Sequence, residues 1–119
     1  MELLKFLKSF CYAATGVGYC LRTQRNMRVH FIAVLLVLSL ALYLRISAHD
    51  LLLLFFAITL VVMAEMFNTA IETVVDLNVQ TEHPLARIAK DVAAGAVLVA
   101  ALNSIAVAFV VFYPRLVGW

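Results

Sequence analysis

The sequence predicts an all-α membrane protein, with one amphipathic helix along a membrane surface followed by three transmembrane helices. Three observations carry this expectation. The 119 residues are 66% hydrophobic and 13% charged, with a mean hydropathy of +1.04, too apolar for a soluble domain of this size. The apolar residues collect in three runs, each long enough, at about 1.5 Å per residue, to cross about 30 Å of hydrocarbon. Residues 1–28 show a two-faced pattern instead. With only four Gly and two Pro, no low-complexity linker and no repeat of about 20–50 residues, residues 1–119 read as a single membrane domain.

The surface helix is expected over residues 1–28. Leu3, Leu7, Phe10, Ala14, Val17 and Leu21 recur at steps of four and three, while Glu2, Lys5, Lys8, Ser9, Tyr12, Thr15, Tyr19 and Arg22 occupy the rest. That pattern suits a helix lying in the interface plane. A secretory signal fits less well, because Lys8 interrupts the apolar stretch and no A-x-A cleavage site follows. The first span is expected over residues 29–48, apolar from Val29 to Leu44 with Arg45 at its far end; the second covers 50–76, apolar from Leu51 to Ile71; the third covers 91–113. Ala93, Ala94, Gly95, Ala96, Ala100 and Ala101 give the last span a surface on which helix backbones can approach closely.

Lys5, Lys8, Arg22, Arg25 and Arg28 precede the first span, and Arg87 and Lys90 lie between the second and third; only Arg45 and Arg115 fall on the other side. Seven cations against two place the amino terminus and the second loop in the cytoplasm and the carboxyl terminus outside, with Tyr113 and Trp119 suited to an interface belt. A net charge of +2 gives no reason to expect nucleic acid as a partner; the cations read as membrane anchors and phosphate contacts. Cys11 and Cys20, nine residues apart on opposite sides of a helix, cannot pair, and read as small apolar fillers. His30 and His49 lack metal-ligand spacing with anything nearby and receive no chemistry.

The informative residues are Glu65, Asn68, Glu72 and Asp76, which spacings of three, four and four place on one helical stripe. Glu65 follows an uninterrupted apolar stretch, where a carboxyl costs several kcal/mol unless it is paired, protonated or used. The predicted topology gathers this stripe with Glu82, His83, Arg87, Lys90 and Asp91 and with Arg22, Gln24, Arg25, Asn26 and Arg28 on one side of the membrane. Acids that hold a divalent cation beside cations that hold phosphate suit phosphoryl transfer. No Walker-type phosphate loop or Gly-rich kinase loop is present. On residues alone, a lipid-facing enzyme, a channel or transporter subunit and a structural membrane protein all stay open.

The string Glu65-Met-Phe-Asn68-Thr69-Ala70-Ile71-Glu72-Thr-Val-Val-Asp76, followed by His83-Pro84-Leu85-Ala86-Arg-Ile-Ala89-Lys90-Asp91, resembles the small bacterial integral-membrane lipid kinases, the diacylglycerol kinase and undecaprenol kinase family. Phe10-Cys-Tyr12-Ala13-Ala-Thr-Gly16 and Arg25-Asn26-Met27-Arg28-Val29-His30 are similar to its pattern as well, so the resemblance covers about Phe6 to Phe112. The resemblance implies a homotrimer in the bacterial cell membrane, with sites shared between neighbouring subunits, ATP as co-substrate and Mg²⁺ as cofactor. It implies Glu65 as general base toward the lipid hydroxyl, with Asn68 orienting Glu65 or a phosphate oxygen. Glu72 matches a metal ligand that also meets ATP, Lys90 a γ-phosphate contact and Asp91 a nucleotide contact. Glu82 and His83 would lie beside the adenosine, and Tyr12 would approach the nucleotide from the surface helix. Asp76 reads as support for the polar network.

One position departs from the pattern. The family usually has a metal-binding Glu where this chain has Gln24, which keeps an oxygen donor and loses the charge. His83-Pro84-Leu85-Ala86 and Ala93-Ala94-Gly95-Ala96-Val97 are more similar to the undecaprenol kinase branch, so undecaprenol is the favoured substrate and diacylglycerol the alternative. The rival class is a non-catalytic membrane trimer or an ion- or proton-conducting subunit that uses the acid stripe as a relay.

Overall fold

The computed structural model describes residues 1–118. It holds four helices: α1 (Glu2–Thr23), α2 (Arg25–Leu44), α3 (Ala48–Asn78) and α4 (Pro84–Leu116), with no strand among the described residues. The last three are long and apolar enough to cross a membrane. Trp119, expected in an interface belt, lies outside the described residues.

Local chemistry sets the helix ends. The expected surface helix stops at Thr23 rather than residue 28, because Gln24 leaves helical geometry (φ −106°, ψ 113°) and the next helix starts at Arg25. Four residues assigned to the surface helix therefore open the first span. That span ends at Leu44, where Arg45 turns left-handed (φ 52°) and the Ile46 N–H reaches back to the Ala41 carbonyl at 3.2 Å, a Schellman-like stop. Two residues later Ser47 caps α3, its hydroxyl oxygen accepting from the Asp50 N–H at 3.1 Å. At the other end of α3, Pro84 opens α4 at a position where its missing N–H is not needed, and His83 Nδ1 accepts from the Leu85 N–H at 3.1 Å.

α3 packs chiefly on α4, forming a hairpin on which α2 leans. Leu54, Ile58, Val61, Glu65, Asn68 and Glu72 alternate at steps of four and three along α3, as do Ala93, Val97, Ala100, Ser104, Val107 and Val111 along α4, and all are buried or half-buried. This is the seam spacing of a left-handed helix pair. In hydrocarbon such a seam is held by close packing and interhelical hydrogen bonds rather than by expulsion of water. The Ser104 hydroxyl lies 3.3 Å from the Ala57 carbonyl across the pair. Ala93 and Ala100 are buried in the seam, whereas Ala94 and Ala96 of the same small-residue stretch stay exposed.

The seam changes character along its length. Toward the α2–α3 turn it is apolar, centred on Ala41, Leu54, Val111 and Phe112, and Arg115 Nη1 donates to the Arg45 carbonyl at 3.4 Å. Toward the α3–α4 loop it becomes polar, with Glu65, Asn68 and Thr69 buried. At about 1.5 Å per residue, α3 (31 residues) and α4 (33 residues) outrun a 30 Å hydrocarbon core. Their excess carries this polar end out to the loop. α1 leaves the bundle almost wholly exposed, anchored where Cys20 and Met27 are buried; Cys11 is exposed and fills no core.

Candidate functional site: a buried acid stripe below a polar cleft

Glu65 is only 2% exposed, a placement fixed by its seam position one turn beyond Val61. Its Oε1 lies 3.2 Å from Nε2 of His30 on α2. The contact is close enough for an ion pair, yet Oε1 still accepts no well-aligned hydrogen bond. A carboxyl this deep has lost its water, and a single poorly aligned partner compensates only part of that loss. Long, misaligned contacts of this kind are common in catalytic sites before substrate arrives.

The next turns continue the stripe. Asn68, also buried, donates through Nδ2 to Glu72 Oε1 at 3.2 Å, while its own Oδ1 is buried without a partner. Within the chain Asn68 thus holds Glu72 rather than Glu65, because the (i, i+4) spacing brings those two ends together, and its Oδ1 is left for a phosphate-side or metal-side partner. Thr69 and Thr73 return their hydroxyls to carbonyls one turn back, Glu65 and Thr69, and so use up their donors locally. Two buried acceptors, Glu65 Oε1 and Asn68 Oδ1, thus wait on adjacent turns for donors or a cation.

About one turn beyond Glu72 the stripe opens on a cleft of about 740 Å³, bounded by α3, the loop and the start of α4. Asp76, Glu82, His83, Arg87 and Lys90 contribute its polar lining. Lys90 Nζ lies 2.6 Å from Asp76 Oδ1, a charge-assisted hydrogen bond across the hairpin. Asp76 is largely exposed and Lys90 partly so, so the pair is worth at most about 1 kcal/mol and can exchange for a stronger anion. Asp91 is not part of the cleft wall and pairs with Arg87, which is, at 3.6 Å.

The structure therefore gathers Glu65, Asn68 and Glu72 in the seam, and Glu82, His83 and Lys90 around the cleft. His83 has one ring nitrogen committed to capping α4. Tyr12 is exposed on α1 and is not part of the cleft wall. Gln24 sits at the α1–α2 break, its Nε2 3.4 Å from Thr23 Oγ1. With His30 facing Glu65, the antiparallel run of α2 and α3 brings Gln24 roughly level with Glu72. The sequence reading missed His30, because its partner lies 35 positions along the chain on another helix.

Among the described residues no three His, Cys, Asp or Glu side chains gather as a metal cage. Mg²⁺ does not need one: it takes hard oxygens, commonly one or two carboxylates plus substrate phosphates and water. Glu72, the orphaned Asn68 Oδ1 and the amide oxygen of Gln24 are donors of that kind, so the residues present fit such an ion.

Three membrane-length helices, a buried carboxyl stripe and an adjoining polar cleft define a small multi-pass membrane protein with a site at one end of its spans. A family model for prokaryotic diacylglycerol kinase matches residues 11–112. The chain is 45% identical over 113 residues to a diacylglycerol kinase of Synechocystis sp., covering 94% of this chain and 65% of that protein. It is 40% identical over 115 residues to an undecaprenol kinase of Bacillus subtilis, covering 97% and 94%. It is 32% identical over 101 residues to a diacylglycerol kinase of Escherichia coli, covering 85% and 83%. The chain belongs to the prokaryotic diacylglycerol kinase family, a family of prokaryotic lipid kinases. It spans just under two thirds of the length of the Synechocystis relative.

Proposed function

We propose that the protein transfers the γ-phosphate of ATP to the hydroxyl of a membrane lipid, with undecaprenol as the favoured acceptor. The observation that carries this reading is Glu65, a carboxyl 2% exposed within a membrane-length helix, its Oε1 unsatisfied. A base so placed can meet a hydroxyl arriving from the bilayer and take its proton as the oxygen attacks phosphorus. Glu72, held by Asn68, and Gln24 at its level are the metal donors; Mg²⁺ there would neutralise charge on the transferring phosphate. Lys90, released from Asp76, meets the γ-phosphate, while Glu82 and His83 receive the adenosine in the cleft. Asp91 and Tyr12 are second contacts to the nucleotide, both requiring side-chain or helix movement from their present places.

A homotrimer with shared sites is part of the proposal. The chain measures 55 × 45 × 20 Å, and a layer that thin cannot enclose a nucleotide and a lipid together. Exposed Ala94 and Ala96 offer close-approach positions for a neighbour's helix. The cation distribution supports a cytoplasmic amino terminus and cleft in a bacterial cell membrane. Water-soluble ATP then enters from the cytoplasm and the lipid sideways.

For the lipid, similarity of His83-Pro84-Leu85-Ala86 to the undecaprenol branch and the near end-to-end match with the Bacillus subtilis undecaprenol kinase favour the isoprenoid. The 45% identity to a diacylglycerol kinase favours diacylglycerol as the second reading. Purified protein in bilayers with Mg²⁺ and γ-labelled ATP, offered the two lipids in parallel, decides between them. Greater transfer to undecaprenol supports the first reading and greater transfer to diacylglycerol the second. Transfer to neither overturns the kinase reading.

A further inference from the structure

We propose that His30 is the proton outlet of Glu65, a role that rests on the lipid-kinase reading above. Each turnover moves a hydroxyl proton onto Glu65 as the lipid oxygen forms its bond to the γ-phosphorus and the bond from that phosphorus to ADP breaks. The proton must leave before the next cycle. Glu65 is 2% exposed and cannot pass it directly to water. His30, with its Nε2 3.2 Å from Glu65 Oε1, is 24% exposed and stands about one and a half turns from the start of α2, so one ring links the buried acid to the polar end of the bundle. The imidazole accepts the proton at Nε2 and yields one to water, returning Glu65 to its carboxylate form; no other reactant is consumed. Imidazole is the side chain suited to such a shuttle near neutral pH.

The surroundings of His30 favour this role over that of a simple tether. Glu65 is its only ionic partner among the described residues. Of the groove that His30 shares with Ala101, Ser104, Ile105 and Ala108 of α4, no other lining residue is titratable. On its own helix, Arg28 is turned to the Leu21 and Arg22 carbonyls. His30 also lines one end of an apolar groove of about 310 Å³, large enough for a free imidazole molecule. At 3.2 Å the pair is within hydrogen-bond reach but not aligned as a hydrogen bond, so transfer needs the ring to realign on the carboxyl, as catalytic hydrogen bonds in unliganded sites commonly do.

The test compares wild type, His30→Gln and His30→Ala in bilayers, following lipid phosphorylation with and without added imidazole, with helix content and thermal stability as folding controls. Gln keeps a donor near the Nε2 position and cannot relay a proton. The proposal predicts that both variants stay folded and lose about tenfold to a hundredfold in kcat. KM for ATP and for lipid should stay within about twofold, and free imidazole should restore His30→Ala but not wild type. Full activity in His30→Gln, or loss in His30→Ala that imidazole leaves unchanged while the protein is folded, overturns the outlet. If His30→Ala unfolds, His30→Gln decides alone through its kcat-against-KM split. Absence of transfer by wild type overturns the kinase reading and the outlet together, whereas normal transfer by all three proteins overturns only the outlet.

Discussion

Replacing Glu65 by Gln tests the site most sharply, because it changes the chemistry while leaving the packing nearly untouched. Gln has the same length and volume, so the seam between Val61 and Asn68 acquires no cavity. At 2% exposure the neutral amide is easier to bury than a carboxylate, and its oxygen can still face His30 Nε2. The structural change reduces to one poorly aligned contact with His30, on the order of 1 kcal/mol at most. The chemical change is larger: a positioned general base contributes about 10²- to 10⁴-fold to rate. Lipid phosphorylation by Glu65→Gln should therefore fall at least a hundredfold, with melting temperature and ATP affinity close to wild type. The assay is label transfer from γ-labelled ATP, run on the sample whose thermal melt has been recorded. Turnover within threefold of wild type in a folded sample would remove Glu65 from the chemistry.

Other consequences follow from the same geometry. Lys90→Ala should raise KM for ATP several-fold with little change in stability, because the bond to Asp76 that it breaks is exposed; initial rates against ATP concentration check this. Glu72→Ala should raise the Mg²⁺ concentration for half-maximal rate and lower the maximal rate, read from a Mg²⁺ titration at fixed ATP. Gln24→Glu, which returns a charge level with Glu72, should shift the same titration the other way, toward lower Mg²⁺. Ser47→Ala removes the cap on α3 and should lower stability by about 1 kcal/mol, seen as a lower melting temperature with kcat unchanged, since the cap lies at the far end of the spans from Glu65.

What the sequence made legible was whatever depends on local periodicity. The three apolar runs, the two-faced first helix and the stripe from Glu65 to Asp76 all follow from spacing along one helix, and the structure holds them. The alternation of threes and fours in α3 and α4 also points each seam at its partner. What stayed hidden depends on register between helices. His30 looks idle in the sequence because nothing nearby along the chain marks it as level with Glu65; only the antiparallel turn at Arg45–Ser47 brings them together. The break at Gln24 carries no Pro or Gly signal, so residues 25–28 read as surface helix when they open the first span. Asn68 sits one turn from both Glu65 and Glu72, and spacing alone does not say which it will hold. Nor does spacing along one helix say that Tyr12 stays off the cleft wall or that Asp91 pairs with Arg87.

The central claim is that this stripe and cleft move a phosphoryl group from nucleotide to lipid. The most direct test offers undecaprenol and diacylglycerol to the protein in bilayers with Mg²⁺ and with ATP labelled at either the γ- or the α-phosphate, then extracts the lipids. Label should enter the lipid phase from γ-labelled ATP only, and not at all in Glu65→Gln. Label confined to the aqueous phase with both lipids, from a folded wild-type sample, would contradict it.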